Sequence, residues 1–355
     1  MSKAPVRSDF CFVHAADLHL GGRRWLRSEP ADRGFSERVR LADRLALRAL
    51  VDLCLEERAA ILLLSGDIID GRCRDHRVSL ELVHQLFRLR DAECDVAIVL
   101  GNHDVRTRLM KPMLLPGWAR VLGVGAPETF ILERLGVALH GWSFPEAEAL
   151  TDIAELYPEP IPGLVNVGLL HTSADGRRGH AAYAPCSRRT LRANGYDYWA
   201  LGHVHAREVI STDPWVIFPG NLQGRGPREV GPKGATLAWV RDGRVVSAEH
   251  RALDTLRFET IVANTEDTER FDDVLAVARA ALARATHVAD GRPVVAKLVL
   301  AGIAGAAAAL TVPKWERSRA LRAVARELGG ASMCLDEAWI DGGAMAGAWR
   351  VDLTT

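Results

Sequence analysis

Short apolar runs, each ending in a polar or glycine-bearing turn, recur through the first 240 residues. FCFVHAA (Phe10–Ala16) leads into Asp17, AILLLS (Ala60–Ser65) into Gly66-Asp67, and VAIVL (Val96–Leu100) into Gly101-Asn102-His103-Asp104. Farther along, VNVGLL (Val165–Leu170) leads into His171 and YWAL (Tyr198–Leu201) into Gly202-His203. Runs this short and this rich in Val, Ile and Leu read as buried strands. Between the first two, Ser36–Arg58 spaces Val39, Leu41, Leu45, Leu47, Leu50, Leu53 and Leu55 as an amphipathic helix does, and Arg77–Leu89 predicts a second, shorter one. Strands alternating with helices predict a layered α/β core whose sheet is covered on its faces.

Past about Arg251 the texture changes. Arg257–Ala263 predicts a strand, Phe271–Thr286 a helix, Val294–Leu300 a strand, Lys314–Leu328 a helix and Ser332–Ile340 a last strand. The chain of 355 residues is long for one domain. It is expected to divide into a large domain over 1–250 and a smaller α+β domain over 251–355. The proline-rich stretch Glu146–Gly163 reads as an excursion loop of the first domain. The alanine-rich stretch Leu298–Leu310 is too short for a membrane span, which needs roughly 20 apolar residues. It is expected to be a buried strand followed by a tight connection.

Composition narrows the classes. Apolar residues make up 48% and charged residues 25% of the chain, which excludes a disordered or fibrous protein. Lys+Arg and Asp+Glu both count 45, so any contact with nucleic acid must run through a local patch rather than a global positive field. The 6 cysteines form no Cys-x-x-Cys pair, and the N-terminus has no apolar core of signal-peptide length. Reduced thiols, a cytoplasmic location and no membrane partner are the expectation.

The chemistry sits at the strand ends. The five runs stop at Asp17 and His19, at Asp67, at Asn102 and His103, at His171, and at His203 and His205. In open α/β sheets, ligands collect outside the carboxyl ends of the strands, so these positions can converge. A mixed set of carboxylates, carboxamide and imidazoles suits Mn²⁺, Zn²⁺ or Fe²⁺, whereas Ca²⁺ prefers oxygen alone. The set is larger than one ion can use. A binuclear centre with a carboxylate bridging two ions about 4 Å apart accounts for it.

Asp17-Leu-His19, Gly66-Asp67-Ile-Ile-Asp70, Gly101-Asn102-His103-Asp104, His171 and Gly202-His203-Val-His205 stand in the order of the calcineurin-like metallophosphoesterase signature, across roughly residues 10–240. Within that superfamily FVHAADLHLGG, HTSADG, YWALGHVHAREV and FPGNLQGRGPREVGPKG resemble the SbcD-type DNA repair exonucleases, especially their YhaO-like branch. The resemblance implies a layered β-sandwich core flanked by helices, with the C-terminal α+β domain as a cap over the active site. It implies that Asp17, His19 and His205 hold one ion, that Asn102, His171 and His203 hold the other, and that Asp67 bridges them. His103 is left to face the scissile phosphate, and Asp70 to hydrogen-bond and orient it.

The same resemblance implies two Mn²⁺ ions and a phosphodiesterase of DNA ends or single strands, working in repair. An alternative within the same chemistry is a small phosphodiester, a nucleotide or a phosphoprotein. A third reading is a binding protein that has kept the fold and lost turnover. Implied partners are an SbcC-like ATPase, although the segment that grips it is short here, and a second copy of the chain.

Around the ligand set, Arg23, Arg24, Arg72, Arg106, Arg108, Arg225 and Arg228 are candidate phosphate clamps. Arg72, Asn221 and Arg225 are the substrate-binding candidates among the nearby residues. Trp25 either stacks on a base or anchors its loop. His14 and His140 are expected in the core and Asp104 as a brace of its turn. His76, His84, His180, His250 and His287 are expected at the surface or in packing.

Overall fold

The computed structural model describes residues 9–24, 26, 32–107, 115–143, 152–174, 186–329, 332–341 and 348–351, with 305, 306 and 348–351 described by backbone alone. Trp25, Arg108, His180 and the last two residues of HTSADG lie outside the described residues. The chain forms two compact units: Met1–Gly22, Asp43–Gln223 and Lys233–Leu253 make the first, and Arg23–Ala42, Gly224–Pro232 and Asp254–Thr355 the second.

The first unit contains two six-stranded sheets. One is built from β1 (Phe10–Ala15), β2 (Ile61–Ser65), β3 (Asp95–Val99), β4 (Arg120–Val121), β11 (Gly234–Arg241) and β12 (Arg244–Ala252), in the order β12-β11-β1-β2-β3-β4. The other holds β5 (Glu128–Leu132), β6 (Val137–Gly141), β7 (Val165–His171), β8 (Tyr198–Gly202), β9 (Glu208–Thr212) and β10 (Trp215–Phe218), in the order β5-β6-β7-β8-β10-β9. Strand alternation decides which side chain faces where. Phe10, Phe12, Ile61, Leu63, Ala97 and Val99 meet Val137, Val167, Leu169, Tyr198 and Ile217 of the other sheet in one core. The alternate residues Cys11, Val13, Leu62, Leu64, Val96 and Ile98 face outward. They pack against Leu47, Leu50 and Val51 of α1 (Arg33–Glu56) and Leu82, Leu86 and Leu89 of α2 (His76–Asp91).

On the far side, Leu170, Trp199, Leu201 and Phe218 pack against Leu191 of α4 (Arg188–Ala193) and a 3-10 turn at Ile153–Leu156. The central strands of both sheets are therefore covered on both faces, and the unit is the helix-flanked β-sandwich that the resemblance implies. β1–β2, β2–β3 and β7–β8 pair in parallel, so the C-terminal ends of β1, β2 and β3 lie side by side in one sheet and those of β7 and β8 in the other.

One polar chain crosses the inter-sheet core. His14 Nε2 donates to the Leu201 carbonyl at 3.1 Å, which leaves Nδ1 to accept from the Tyr198 hydroxyl at 3.1 Å. Burial, the dominant cause, drops the His14 pKa to about 3, so the ring is neutral.

The second unit carries a four-stranded sheet of β13 (Arg257–Asn264), β14 (Val294–Ala301), β15 (Met333–Asp341) and β16 (Ala348–Val351), the first three parallel and the last antiparallel. One face packs on α5 (Phe271–Val288), α6 (Ile303–Leu310) and α7 (Lys314–Gly329) through Val274, Leu282, Ala309, Leu321 and Val324. On the other, Phe258, Val295 and Cys334 meet Phe35, Val39 and Ala42 from the start of α1.

The alanine-rich stretch after Ala301 is a helix, not the tight connection expected of it. Gly302 at φ +130° ends the strand, and alanine favours the helix once the strand is broken. Among the described residues no helix is long and apolar enough to cross a membrane.

Candidate metal centre

Two loops, following β1 and β2, are zipped together by their backbones. Asp17 N donates to Gly66 O at 3.0 Å, His19 N to Asp67 O at 2.9 Å and Leu20 N to Ile68 O at 2.9 Å. The path forces side-chain-bearing residues into the left-handed region, with Asp17 at φ 52°, His19 at 43°, Asp67 at 53° and His203 at 99°. Such conformations cost about 1–2 kcal/mol per residue and persist where surrounding structure over-determines them. Gly66, at φ +85°, has a second reason to lack a side chain, because a Cβ there would stand 2.4 Å from His171 Nδ1.

The candidate ligands converge. His19 Nε2 is 3.2 Å from His205 Nε2, and His205 Nε2 is 3.8 Å from Asp17 Oδ1. Asp67 Oδ2 lies 3.7 Å from His19 Nε2 and 3.5 Å from His171 Nε2. It therefore stands between two histidines that belong to different groups. His171 Nε2 is 3.3 Å from Asn102 Oδ1, on the first residue of α3 (Asn102–Arg106). Three sets of donor atoms are mutually close enough to hold an ion: Asp17/His19/His205, Asp67/His171/His203 and His19/Asp70/His103. The first set matches the expected first-ion group. The second joins Asp67 to the two histidines expected for the other ion, and Asn102 reaches it through His171.

The residues present suit a divalent cation. Donors bonded at about 2.1 Å to one ion stand about 3.0–3.4 Å apart around it, close to the separations found here. His171 Nδ1 donates to the Ser65 carbonyl at 2.9 Å, so Nε2 is turned to the site, where Asn102 Oδ1 at 3.3 Å and Asp67 Oδ2 at 3.5 Å face it. Burial works to lower the His171 pKa, but Asp67 and Asp17 outweigh it and bring the ring up to about 9. That field calls for positive charge at the position where Nε2 points. Asp17 Oδ1 is buried with no hydrogen-bond donor, the state of an oxygen kept for an ion. Burial raises the Asp17 carboxyl against the pull of His205 and His171, while Asp67 is held well below the usual range despite burial, by His171, His19 and His103.

His103 stands apart from the ligand sets of the two expected ions. Its backbone N–H donates to Asp67 Oδ1 at 2.8 Å, and its side chain is 29% exposed, against 1% for His19, 0% for His171 and 12% for His205. The expected hydrogen bond from Asp70 is not formed. Asp70 Oδ2 is 3.6 Å from both His103 Nδ1 and His19 Nδ1, beyond bonding distance. Instead His103 Nδ1 accepts from the Gly71 N–H at 3.2 Å, which places the proton of the neutral ring on Nε2. Asp70 Oδ1 takes the Arg72 N–H at 2.9 Å, and its carboxyl is held low, against burial, by His103 and His19.

Asp104 is the expected brace. Oδ1 accepts from Ile68 and Ile69 N–H, each at 2.9 Å, and Oδ2 from Gly101 N–H at 3.0 Å, joining the Asp67 and Asn102 loops.

The substrate-binding candidates divide. Arg72 is exposed on the loop beside Asp70. Asn221 is buried, with no exposed side-chain surface, and its amide donates to the Gln223 carbonyl at 2.9 Å. Arg225 belongs to the second unit, where its guanidinium engages Glu229 at 3.2 Å. Two positioning groups were not foreseen: Ser65, whose carbonyl sets the His171 tautomer, and Lys233, whose Nζ donates to the His205 carbonyl at 3.1 Å. A carbonyl has no sequence signal, but Lys233 is one of few lysines in an arginine-rich chain.

Residues 11–207 match the model of the calcineurin-like phosphoesterases. The chain belongs to that family. This phosphoesterase is similar to YhaO of Bacillus subtilis (strain 168), described as an uncharacterized metallophosphoesterase, with 30% identity over 312 residues, 87% of this chain and 74% of that one. It is also similar to the DNA double-strand break repair protein Mre11 of Sulfurisphaera tokodaii, with 22% identity over 275 residues, 72% of this chain and 66% of that one. Among solved structures it resembles a dimetal phosphatase from Danio rerio, with a TM-score of 0.41 and 15% identity over 69% of this chain and 96% of that one.

Proposed function

We propose that this phosphoesterase is a two-metal phosphodiesterase whose substrate is DNA, cut at ends and in single strands. The observation that carries the metal reading is the position of Asp67 Oδ2, within 3.7 Å of His19 Nε2 and 3.5 Å of His171 Nε2, each of which belongs to a different ligand group. Asp17, His19 and His205 would hold one ion, and Asn102, His171 and His203 the other, with Asp67 shared. When bound, two divalent ions, here proposed as Mn²⁺, supply a nucleophile at neutral pH and Lewis-acid stabilisation of charge on the phosphoryl oxygens.

The chain's own contribution is positional. The Ser65 carbonyl turns His171 Nε2 inward, and the His103 N–H keeps Asp67 Oδ1 occupied so that Oδ2 faces both groups. In its charged form His103 Nε2–H is the donor to the departing oxygen; Nδ1, which accepts from the Gly71 N–H in the neutral ring, then carries the second proton. Asp70, at 3.6 Å, favours the charged ring by proximity. DNA as substrate is supported by the likeness to Mre11 over 72% of the chain, and the likeness to YhaO extends beyond the phosphoesterase region.

The test is a side-by-side assay with Mn²⁺ of end-labelled single- and double-stranded DNA, bis-p-nitrophenyl phosphate and a nucleotide panel. Degradation of DNA that vanishes in Asp67→Asn is expected. His103→Ala is expected to lower turnover about 10²–10⁴-fold while metal content stays unchanged. Hydrolysis of small diesters with DNA intact would move the substrate to that class.

A further inference from the structure

A cavity of about 560 Å³ lies wholly within the second unit, and the phosphodiesterase chemistry makes no use of it. Its floor is the sheet, where Lys297 of β14 and Glu337 of β15 are register neighbours. Its wall is the loop Arg225–Glu229. That loop is rigidly built. Glu229 N donates to Gly226 O at 3.0 Å across a turn with Pro227 in its second position, the place where a fixed φ favours turning. The Glu229 carboxylate takes the Arg225 backbone N–H at 2.7 Å and its guanidinium Nε at 3.3 Å. Gly231 N donates to Phe258 O at 2.9 Å and ties the loop to β13.

Two cations remain available to a ligand. Arg228 is exposed and, among the described residues, makes no hydrogen bond or ion pair. Lys297 likewise has no carboxylate partner among the described residues, and its ammonium lies 4.9 Å from the centroid of the Trp339 ring. Glu337 faces the same space yet is only 4% exposed, with its carboxylate oriented by the Trp339 indole N–H at 2.9 Å. Anion donors therefore stand beside one buried, fixed acceptor, in a volume typical of small-molecule sites.

We propose that this cavity binds a nucleotide, with the phosphate on Arg228 and Lys297 and a base N–H on Glu337. Guanidinium and ammonium supply charge-assisted bonds to phosphate, and the carboxylate discriminates a ring that carries a donor. The cavity belongs to the second unit and the candidate metal centre to the first, and the proposal does not depend on the metal assignment.

Calorimetric titration of the full chain with 2′-deoxyadenosine 5′-monophosphate tests this. Saturable binding is expected, weakened about ten-fold by Arg228→Ala and by Lys297→Met. Glu337→Gln, which still accepts from Trp339, should weaken the nucleotide and leave inorganic phosphate unchanged. Arg228 sits on an exposed loop, so its replacement reports on binding even if a sheet variant fails to fold. A 5′-phosphorylated oligonucleotide that binds more tightly than the mononucleotide identifies a strand end as the natural ligand; the reverse identifies a free nucleotide. Absence of saturable binding, or binding unchanged in Arg228→Ala and Lys297→Met, would overturn the proposal, and inorganic phosphate binding as tightly as the nucleotide would remove the base from it.

Discussion

Asp104→Asn separates bracing from ligation, because the residue holds the site together without belonging to any of its three ligand sets. Its carboxylate is 2% exposed and accepts three backbone N–H groups from two loops. In the variant the retained carbonyl oxygen can keep Ile68 and Ile69, but the new amide meets the Gly101 N–H donor to donor. One buried N–H is thus left unsatisfied, at a cost of about 1–3 kcal/mol. For a unit of this size the melting temperature falls about 2–4 °C per kcal/mol. Since the loops carry Asp67 and Asn102, Mn²⁺ affinity should fall about 10–100-fold, as for other groups that orient metal ligands. Asp104→Ala removes both acceptor oxygens and with them all three bonds, and must be worse in both respects. Calorimetric melting and Mn²⁺ titration read the two effects. A melting point and an affinity unchanged in both variants would refute the bracing role.

Two further outcomes follow from the geometry. Gly101→Ala places a Cβ 2.4 Å from Asp67 Oδ1 at a backbone conformation any residue tolerates, so Mn²⁺ affinity should fall while secondary structure by circular dichroism is retained; unchanged affinity contradicts the position assigned to Asp67. His14, neutral in the fold with its pKa dropped to about 3, contributes stability that is fully present above about pH 6.5 and is lost as pH falls toward 3, because the unfolded chain binds the extra proton. Denaturant unfolding at pH 5 should show a loss of about 2 kcal/mol relative to pH 7 that His14→Gln abolishes, and identical pH slopes would contradict it.

The candidate site was legible because its candidate ligands follow the apolar runs that form the strands β1, β2, β3, β7 and β8. Those runs are buried on both faces and so carry a continuous apolar signal. Strands with half-exposed faces, such as β9 (EVIST) and β12 (RVVSAEHRA), have no such run and went unread. Membership of the second unit was also hidden. Phe35, Val39 and Ala42 belong to a helix whose periodicity is unbroken, and nothing in that period tells which unit buries its first turns. The burial of Asn221 was hidden for a similar reason. A polar residue after Pro219-Gly220 looks available in sequence, whereas its burial depends on a backbone bridge to Ala16, 205 positions away in the numbering. Asp70 Oδ2 stands 3.6 Å from His103 Nδ1, but the bond that holds the neutral ring comes from the Gly71 backbone, which no side-chain pattern reports.

The most direct test of the metal centre is anomalous diffraction at the manganese edge from crystals grown with Mn²⁺. Two peaks about 3.5–4 Å apart, with Asp67 Oδ2 in reach of both and His103 bonded to neither, are the expected result. A single peak held by His19, Asp70 and His103 would contradict it.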